Sequence, residues 1–177
     1  MRPLYLLMGL SVLLGSCTQV IVAPPGIPPL PPVNPRCESS YRTPDWDALA
    51  RTLGEQRARW DALGQKNYDV TQAIPTLFLP PTRVEVRGNQ VVSATVVSTG
   101  QAVPAGNLSA FDTIDELYAY YTGLIERERQ NPESCVTLSI TFDPVFPIPH
   151  RISSGDVTRG LQDAFGSITL TDYTPRP

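Results

Sequence analysis

The chain has 177 residues, with 14 lysine and arginine residues against 17 aspartate and glutamate residues, and a formal net charge of −3. This length suits one domain rather than two, and the acidic balance argues against binding to a nucleic-acid backbone. The sequence contains neither a glycine-rich phosphate loop nor cysteines and histidines spaced for a metal. We therefore predict no cofactor, no metal site and no nucleic-acid partner.

The first sixteen residues have the pattern of an export signal. Arg2 precedes an uncharged, mostly apolar run from Leu4 to Gly15. As a helix this run would extend about 18 Å, less than the roughly 30 Å of a hydrocarbon core. Residues 14–17 read LGSC, which resembles the bacterial lipobox. We predict a lipoprotein signal peptide over residues 1–16 and a lipid on Cys17; an ordinary secretory signal with an incidental cysteine is the alternative.

Residues 17–42 are predicted to be a proline-rich linker that carries the lipid anchor. Eight prolines fall between Pro24 and Pro44. Because proline lacks an N–H and has a fixed φ, the segment is expected to be an extended spacer of up to roughly 60 Å. A PxxP recognition peptide is the alternative. The expected location is outside the cytoplasm, with the chain attached through lipid to the bacterial cell membrane or outer membrane.

The number of cysteines predicts a disulfide. If Cys17 carries lipid, Cys37 and Cys135 remain. An exported protein folds in an oxidising compartment, where an even number of cysteines indicates pairing. We therefore predict a Cys37–Cys135 disulfide, and two separate free thiols are the alternative.

Residues 43–177 are predicted to form a single α+β domain with two main helices. TPD at 43–45 offers a capping hydroxyl, a proline for the first helical position and an acid, and Gly64 is a natural stop. The second helix is predicted to begin at Thr113, which forms a capping box with Glu116. Tyr120 lies off the buried stripe of this helix, so we predict that it is exposed and a candidate for contact with a partner.

The rest of the domain is predicted to be mainly β structure. The clearest pattern is VTLSITFD, in which apolar and polar residues alternate, as in a strand with one buried and one solvated face. The order helix, strands, helix, strands predicts an antiparallel sheet of about five or six strands, with the helices mostly on one face. The predicted segments are a strand over 68–74, a hairpin turning at 88–89, strands over 136–143, 150–153 and 167–173, and a short helix over 156–165.

Four stretches of the sequence, taken in order, resemble a known family. They are RWDALGQKNYDV, VRGNQVVSA, FDTIDEL and VTLSITFDPVFPIPHRI, within residues 56–173. They resemble the bacterial family called domain of unknown function 6174. The resemblance implies an exported, often lipid-anchored protein with this architecture, and it supplies no catalytic residues. Members commonly carry a Cys-x-Cys pair just after the strand that begins at Tyr68, whereas this chain has AIPTLFLPP there.

The sequence offers one weak candidate for catalysis. His150 is the sole histidine, and Ser153, Ser154 and Asp156 follow it. A hydrolase needs such groups together in space beside an oxyanion site, which this pattern does not indicate. We therefore predict no catalytic residues and a non-catalytic envelope module that binds a protein, peptide or polymer through the solvated sheet face or an exposed edge. An inhibitor of an exported hydrolase is one form of this prediction, and a hydrolase using His150 is the alternative.

Overall fold

The computed structural model describes residues 36–75, 79–158 and 165–177. The predicted signal peptide, Cys17 and most of the proline-rich linker lie outside these ranges. None of the helices within them has the length and apolar character that a membrane span requires.

The described part contains two α-helices and one sheet of six strands. The strand order is β3-β2-β1-β6-β5-β4, and every neighbouring pair is antiparallel. The predicted α+β class is confirmed. The elements are α1 (Trp46–Leu63), β1 (Tyr68–Ile74), β2 (Leu79–Arg87), β3 (Gln90–Val96), α2 (Ile114–Arg129), β4 (Val136–Phe142), β5 (Pro149–Asp156) and β6 (Phe165–Pro175).

The start of α1 differs from the prediction. The N-cap is Asp45, whose side chain accepts a hydrogen bond from the backbone N–H of Ala48 at 2.9 Å. The prediction that Thr43 caps the helix and that Pro44 occupies the first helical position is therefore wrong. A carboxylate placed directly before Trp46 can reach the third N–H of the helix, and it satisfies that donor instead. The predicted end is confirmed, since Gly64 closes α1 in the left-handed region at φ 60°.

The start of α2 is as predicted and is also fixed to the sheet. The Thr113 side chain accepts from the Glu116 N–H, and the Glu116 carboxylate accepts from the Thr113 N–H, which completes the capping box. The next free N–H, at Ile114, donates to the hydroxyl of Tyr68 on β1 at 2.8 Å. This buried hydrogen bond positions the helix on β1, because a buried N–H requires a partner.

The core lies between the sheet and the two helices. Alternate residues of the strands face it, and Val70, Val84, Ile152 and Leu170 are at most 1% exposed. Trp60 of α1 is 1% exposed and meets Tyr68 edge-on, with ring centroids 5.5 Å apart. One face of the sheet is thereby buried under helices, and most polar residues of the strands lie on the other face. Gln72 is an exception on the core side, where its side chain donates to the carbonyl oxygen of Asp112.

Strand pairing fixes the register of the β2–β3 hairpin and corrects the prediction for residues 156–165. The β2–β3 hairpin contains an irregularity at Glu85/Val86, so that Val86 pairs with Val91 and Val92 is left 49% exposed.

The prediction of a helix over 156–165 is wrong at both ends, because Asp156 ends β5 and Phe165 begins β6. Pairing of Gly155 with Phe165 continues the hairpin instead. Residues 159–164 lie outside the described ranges.

The predicted disulfide is confirmed. Cys37 and Cys135 are joined, with Cα atoms 5.3 Å apart, and both residues are buried. Cys37 also forms an isolated antiparallel bridge with Thr158, beyond the end of β5. The chain that enters the domain is thereby attached beside the first residue of β4.

Candidate binding face

The face of the sheet opposite α1 and α2 carries no helix among the residues that the structure describes. We call it the helix-free face. Each strand contributes alternate residues to it, and strand pairing places these residues in rows across the sheet. The rows are Ser93–Glu85–Asp69–Thr174, Thr95–Arg83–Thr71–Thr171, Thr169–Arg151–Thr141, Ser139–Ser153–Ser167 and Thr137–Gly155–Phe165.

A cluster of three arginines around one aspartate occupies the β1–β2 end of this face. The Asp69 carboxylate accepts hydrogen bonds from Arg87 at 2.9 Å, from Nε of Arg176 at 2.9 Å and from Arg83 at 3.3 Å. The Asp69 side chain is only 5% exposed, whereas the three arginine side chains are 30–45% exposed. Asp69 is therefore buried beneath guanidinium groups that themselves remain accessible. We call these four residues the Asp69 cluster.

The electrostatics of the Asp69 cluster keep its carboxylate charged. Burial alone would raise the pKa of Asp69, but the hydrogen bonds from Arg176, Arg87 and Arg83 outweigh burial and lower the pKa below its ordinary value. The carboxylate is therefore ionised at neutral pH. Three guanidinium groups share this one carboxylate, and the next acid, Glu85, lies 3.6 Å from Arg87. The arginines outnumber the acids, so the cluster keeps a net positive charge.

Backbone carbonyl groups hold two of the arginines in place. Arg83 donates to the carbonyl oxygen of Asp172 at 2.9 Å, and Arg87 donates to those of Tyr68 at 3.0 Å and Val86 at 2.8 Å. A guanidinium whose orientation is already fixed loses less conformational entropy when it binds a ligand. The arrangement is suited to binding a carboxylate or a phosphate, the anions that the planar guanidinium group recognises through paired hydrogen bonds.

The β4–β6 end of the helix-free face is rich in hydroxyl groups and has little charge. Ser139, Ser153 and Ser167 lie opposite one another on three neighbouring strands. In the next row Phe165 is 57% exposed and lies over Gly155, where an added Cβ atom would collide with the phenyl ring. This end therefore combines small hydroxyl side chains with one exposed aromatic ring.

The charge of the helix-free face is opposite in sign to that of the whole chain. Four arginines and three acids lie on this face or at its border, which gives a net charge of +1 against −3 for the chain. An anion is attracted to such a face more strongly than the net charge of the protein suggests. These residues are Arg83, Arg87, Arg151 and Arg176, with Asp69, Glu85 and Asp172.

The predicted partner-contact residue lies on the other side of the sheet. Tyr120 of α2 is 63% exposed, which confirms the predicted exposure, and its ring meets that of Tyr121 edge-on at 5.0 Å. It lines a cleft of about 410 Å³ that also includes Asp112 and Ile168. Burial and the neighbouring Glu116 raise the pKa of Asp112. Tyr120 and the helix-free face are therefore two separate surfaces.

The structure does not assemble His150 and its neighbours into a catalytic set. Nδ1 of His150 lies 3.0 Å from the backbone oxygen of Leu170. Ser153, Ser154 and His150 are residues of the same strand, β5. At about 3.3 Å per residue, His150 is separated along the strand from either serine by roughly 10 Å or more. The carboxylate of Asp156, still further along, accepts hydrogen bonds from Thr158.

Sequence reasoning missed the Asp69 cluster, although part of its signal was present. The stretch TRVEVR alternates charged and valine residues, which places Arg83 and Arg87 on one face of β2. The position of Asp69 beside them depends on the β1–β2 register, and that of Arg176 depends on the pairing of β6 with β1. The alternation could have predicted the two arginines, but not the carboxylate that they share.

These features define a class of protein: an α+β domain with one antiparallel sheet, covered by helices on one face and solvated on the other. A family model described as a family of unknown function (DUF6174) matches residues 52–172. The match spans more than half of the chain, and the chain belongs to this family. It includes Asp69, Arg83 and Arg87 but ends before Arg176. No curated protein and no solved structure matches the chain.

Proposed function

We propose that this protein is an exported, lipid-anchored and non-catalytic module of the cell envelope that binds an anionic protein, peptide or polymer on its helix-free face. The observation that carries the proposal is the Asp69 cluster, in which three partly exposed arginines surround one buried carboxylate. One carboxylate accepts about four hydrogen bonds, whereas three guanidinium groups offer roughly fifteen donors. Backbone carbonyls and the Thr174 hydroxyl take some of these donors. Because the arginine side chains are 30–45% exposed, an anionic ligand can accept hydrogen bonds from the donors that remain.

The shape of the face favours an extended ligand. The rows of residues cross six adjacent strands, and neighbouring strands lie about 4.8 Å apart. A face about 24 Å wide can meet a peptide or polymer strand along several rows at once. An exported hydrolase that presents an acidic surface is one partner of this kind, and binding it would make the protein an inhibitor.

Two features support the location. The Cys37–Cys135 disulfide suits an oxidising compartment, where exported proteins fold. The lipobox-like LGSC at residues 14–17 and the prolines that follow suit a lipid anchor on Cys17 with a spacer. Both features support a location outside the cytoplasm, from which the domain would reach a partner at the membrane surface.

Neutralising one cluster arginine is expected to weaken the binding of an anionic probe. Full-length protein in a neutral detergent is mixed with fluorescently labelled polyglutamate, and binding is measured by fluorescence anisotropy. Arg83→Gln is expected to raise the Kd about tenfold or more, because a hydrogen bond from a charged group to the ligand is lost. Binding of the wild type is expected to weaken as salt is added.

The matched control is Arg51→Gln, which makes the same charge change at an exposed position of α1. It is expected to leave the Kd within about twofold, because α1 lies on the other side of the sheet and salt screens distant charges. An equal loss of affinity in both variants would show that only net charge matters, and it would refute the proposed site.

The anchor is tested separately by lipid labelling. Cells that express the full-length chain are given a fatty-acid analogue, and the purified protein is examined for the label. The wild type and Thr18→Ser are expected to carry it, whereas Cys17→Ser is expected to carry none, because the thiol is the attachment point. Equal labelling of wild type and Cys17→Ser would refute the lipid anchor and leave the binding proposal to be judged by its own assay.

A further inference from the structure

We propose that two copies of this chain associate through the edges of their β4 strands and so join their sheets into one. The proposal concerns the edge of the sheet rather than its helix-free face, so it does not depend on which ligand that face binds. It rests on three observations: the unpaired backbone groups of β4, the composition of this strand, and the groove between β4 and α1.

The first observation is that β4 has open hydrogen-bonding groups. It is the last strand of the sheet and pairs only with β5 among the described strands. Val157 N–H donates to the carbonyl oxygen of Cys135, which makes these residues a hydrogen-bonded pair. Because such pairs alternate with non-bonded ones in an antiparallel ladder, the N–H and C=O groups of Leu138 and Ile140 are directed away from β5. No residue in the described ranges bonds to them.

The contacts of Val136 support this assignment. Its carbonyl oxygen accepts from the Tyr41 hydroxyl at 3.4 Å, and its N–H donates to the Ser134 side chain at 3.1 Å. Val136 belongs to the same alternating set as Leu138 and Ile140, and its groups are satisfied from outside the sheet. The open part of the edge therefore begins after Val136.

The other edge of the sheet is partly covered, over Ala94–Val96. The chain after β3 turns back along it, where Val96 N–H donates to the Gln101 carbonyl at 2.9 Å and Val103 N–H donates to the Ala94 carbonyl at 2.8 Å. Thr95 and Ala102 also form an isolated bridge. Within the described part of the chain, the return segment thus protects the last three residues of β3, whereas β4 has no such segment beside Leu138 and Ile140.

The second observation is that β4 lacks the features that normally prevent edge pairing. Its sequence, VTLSITF, contains no charge, proline or glycine. Edge strands of soluble monomers usually carry a lysine, a proline or a bulge that blocks a second strand. Here the irregularity lies only at the far end, between Thr141 and Phe142. An uncharged seven-residue strand of high β propensity is an expected site of association.

The composition of β4 also indicates the occupant, because the strand is complementary to itself. An antiparallel copy centred on Ser139 would place Leu138 of one protomer opposite Ile140 of the other, with four new backbone hydrogen bonds. Apolar side chains would then meet on the helix side, and serine and threonine would meet on the helix-free face. No charge on β4 is opposed by a like charge, since the strand contains none.

The third observation is an apolar groove that a second β4 would fill. A groove of about 390 Å³ runs between α1 and β4, and its lining includes Leu49, Leu53, Leu138, Ile140 and Phe142. In the paired sheet the apolar residues of the second β4 would lie on the helix side, next to this groove. Burial of this apolar surface in both copies would stabilise the dimer beyond the backbone hydrogen bonds.

The attachment of both protomers to one membrane is compatible with this pairing. Cys37 is bonded to Cys135, directly before β4, so the two linkers would leave from opposite ends of the paired strands. A strand of this length spans roughly 24 Å, well within the reach of roughly 60 Å expected for each proline-rich linker. The two Asp69 clusters would lie seven strand steps apart, roughly 34 Å, on one continuous face. An extended anionic ligand could then bind both.

The oligomeric state tests the proposal. Full-length wild type in a neutral detergent is expected to be a dimer by light scattering after gel filtration, and Ser139→Lys is expected to be a monomer. Ser139 is exposed on the helix-free face, so the lysine need not disturb the core, but pairing would bring two lysines together at the centre. The matched control is Ser93→Lys, on the same face of the opposite edge strand, which is expected to remain a dimer.

Cysteine cross-linking gives a second readout that does not require a destabilising change. Residues opposite each other at the centre of the pairing have Cα atoms about 4.5 Å apart, within disulfide range. Mild oxidation of membranes is therefore expected to join Ser139→Cys into a covalent dimer, whereas Ser153→Cys, one strand inward, is expected to stay uncoupled. A wild type that remains monomeric at micromolar concentration overturns the proposal. This holds even if its β4 edge binds another protein. A Ser139→Lys variant that is still dimeric also overturns it.

Discussion

Replacing Cys37 and Cys135 together with alanine is expected to lower the free energy of unfolding by about 3–5 kcal/mol. The disulfide closes a loop with a sequence separation of 98. In the chain-entropy model a loop of about 100 residues is worth roughly 4.7 kcal/mol, because the cross-link reduces the freedom of the unfolded chain. The effect would be a large share of the total stability of a domain this size.

Urea unfolding followed by circular dichroism measures this effect on the full-length chain. Reductant is expected to shift the wild type towards the midpoint of the double variant and to leave the double variant unchanged. Cys17→Ala is the control, since it removes a cysteine that lies outside the loop, and its midpoint is expected to match that of the wild type. Equal midpoints for the wild type and the double variant would show that the disulfide contributes nothing to stability.

Asp69→Asn is expected to destabilise the protein by about 2–4 kcal/mol at neutral pH. The change keeps the size of the side chain but removes the charge that three guanidinium groups share, and the loss of one partner from a buried ionic network is costly. The control is Asp61→Asn, which breaks an ion pair with Arg57 in which Asp61 is 53% exposed. An exposed pair of this kind contributes at most about 0.5 kcal/mol.

The same variant is expected to change the dependence of stability on pH. The pKa of Asp69 is lower in the folded protein than its ordinary value of 3.8. The unfolded chain therefore takes up the proton first, and the contribution of Asp69 is complete above that value and lost as the pH falls through the folded pKa. The stability difference between wild type and Asp69→Asn is expected to stay constant from pH 7 to about pH 4 and to shrink as the pH falls below 3.8. A difference that stays constant below pH 3.8 would contradict the ionised cluster.

The sequence predicted well those elements that depend on residues a few positions apart in the chain. The alternation in VTLSITF predicted β4, and the pairing of Thr113 with Glu116 predicted the start of α2. The disulfide followed from an even number of cysteines once Cys17 was assigned to lipid. The N-cap of α1 shows the limit of such signals, because Thr43 and Asp45 both suit a cap and only the path of the chain selected Asp45.

The candidate site, in contrast, is formed by residues that are far apart in the sequence. Arg176 and Asp69 are separated by 107 positions in sequence and meet only because β6 pairs with β1. The open edge is likewise a property of strand order, since β3 and β4 have similar patterns and one of them is covered by its return segment. The sequence alone therefore determined most of the elements, because periodicity and capping act over a few residues. Only the tertiary structure decided which polar residues cluster and which edge stays open, because both depend on the pairing of strands far apart in the chain.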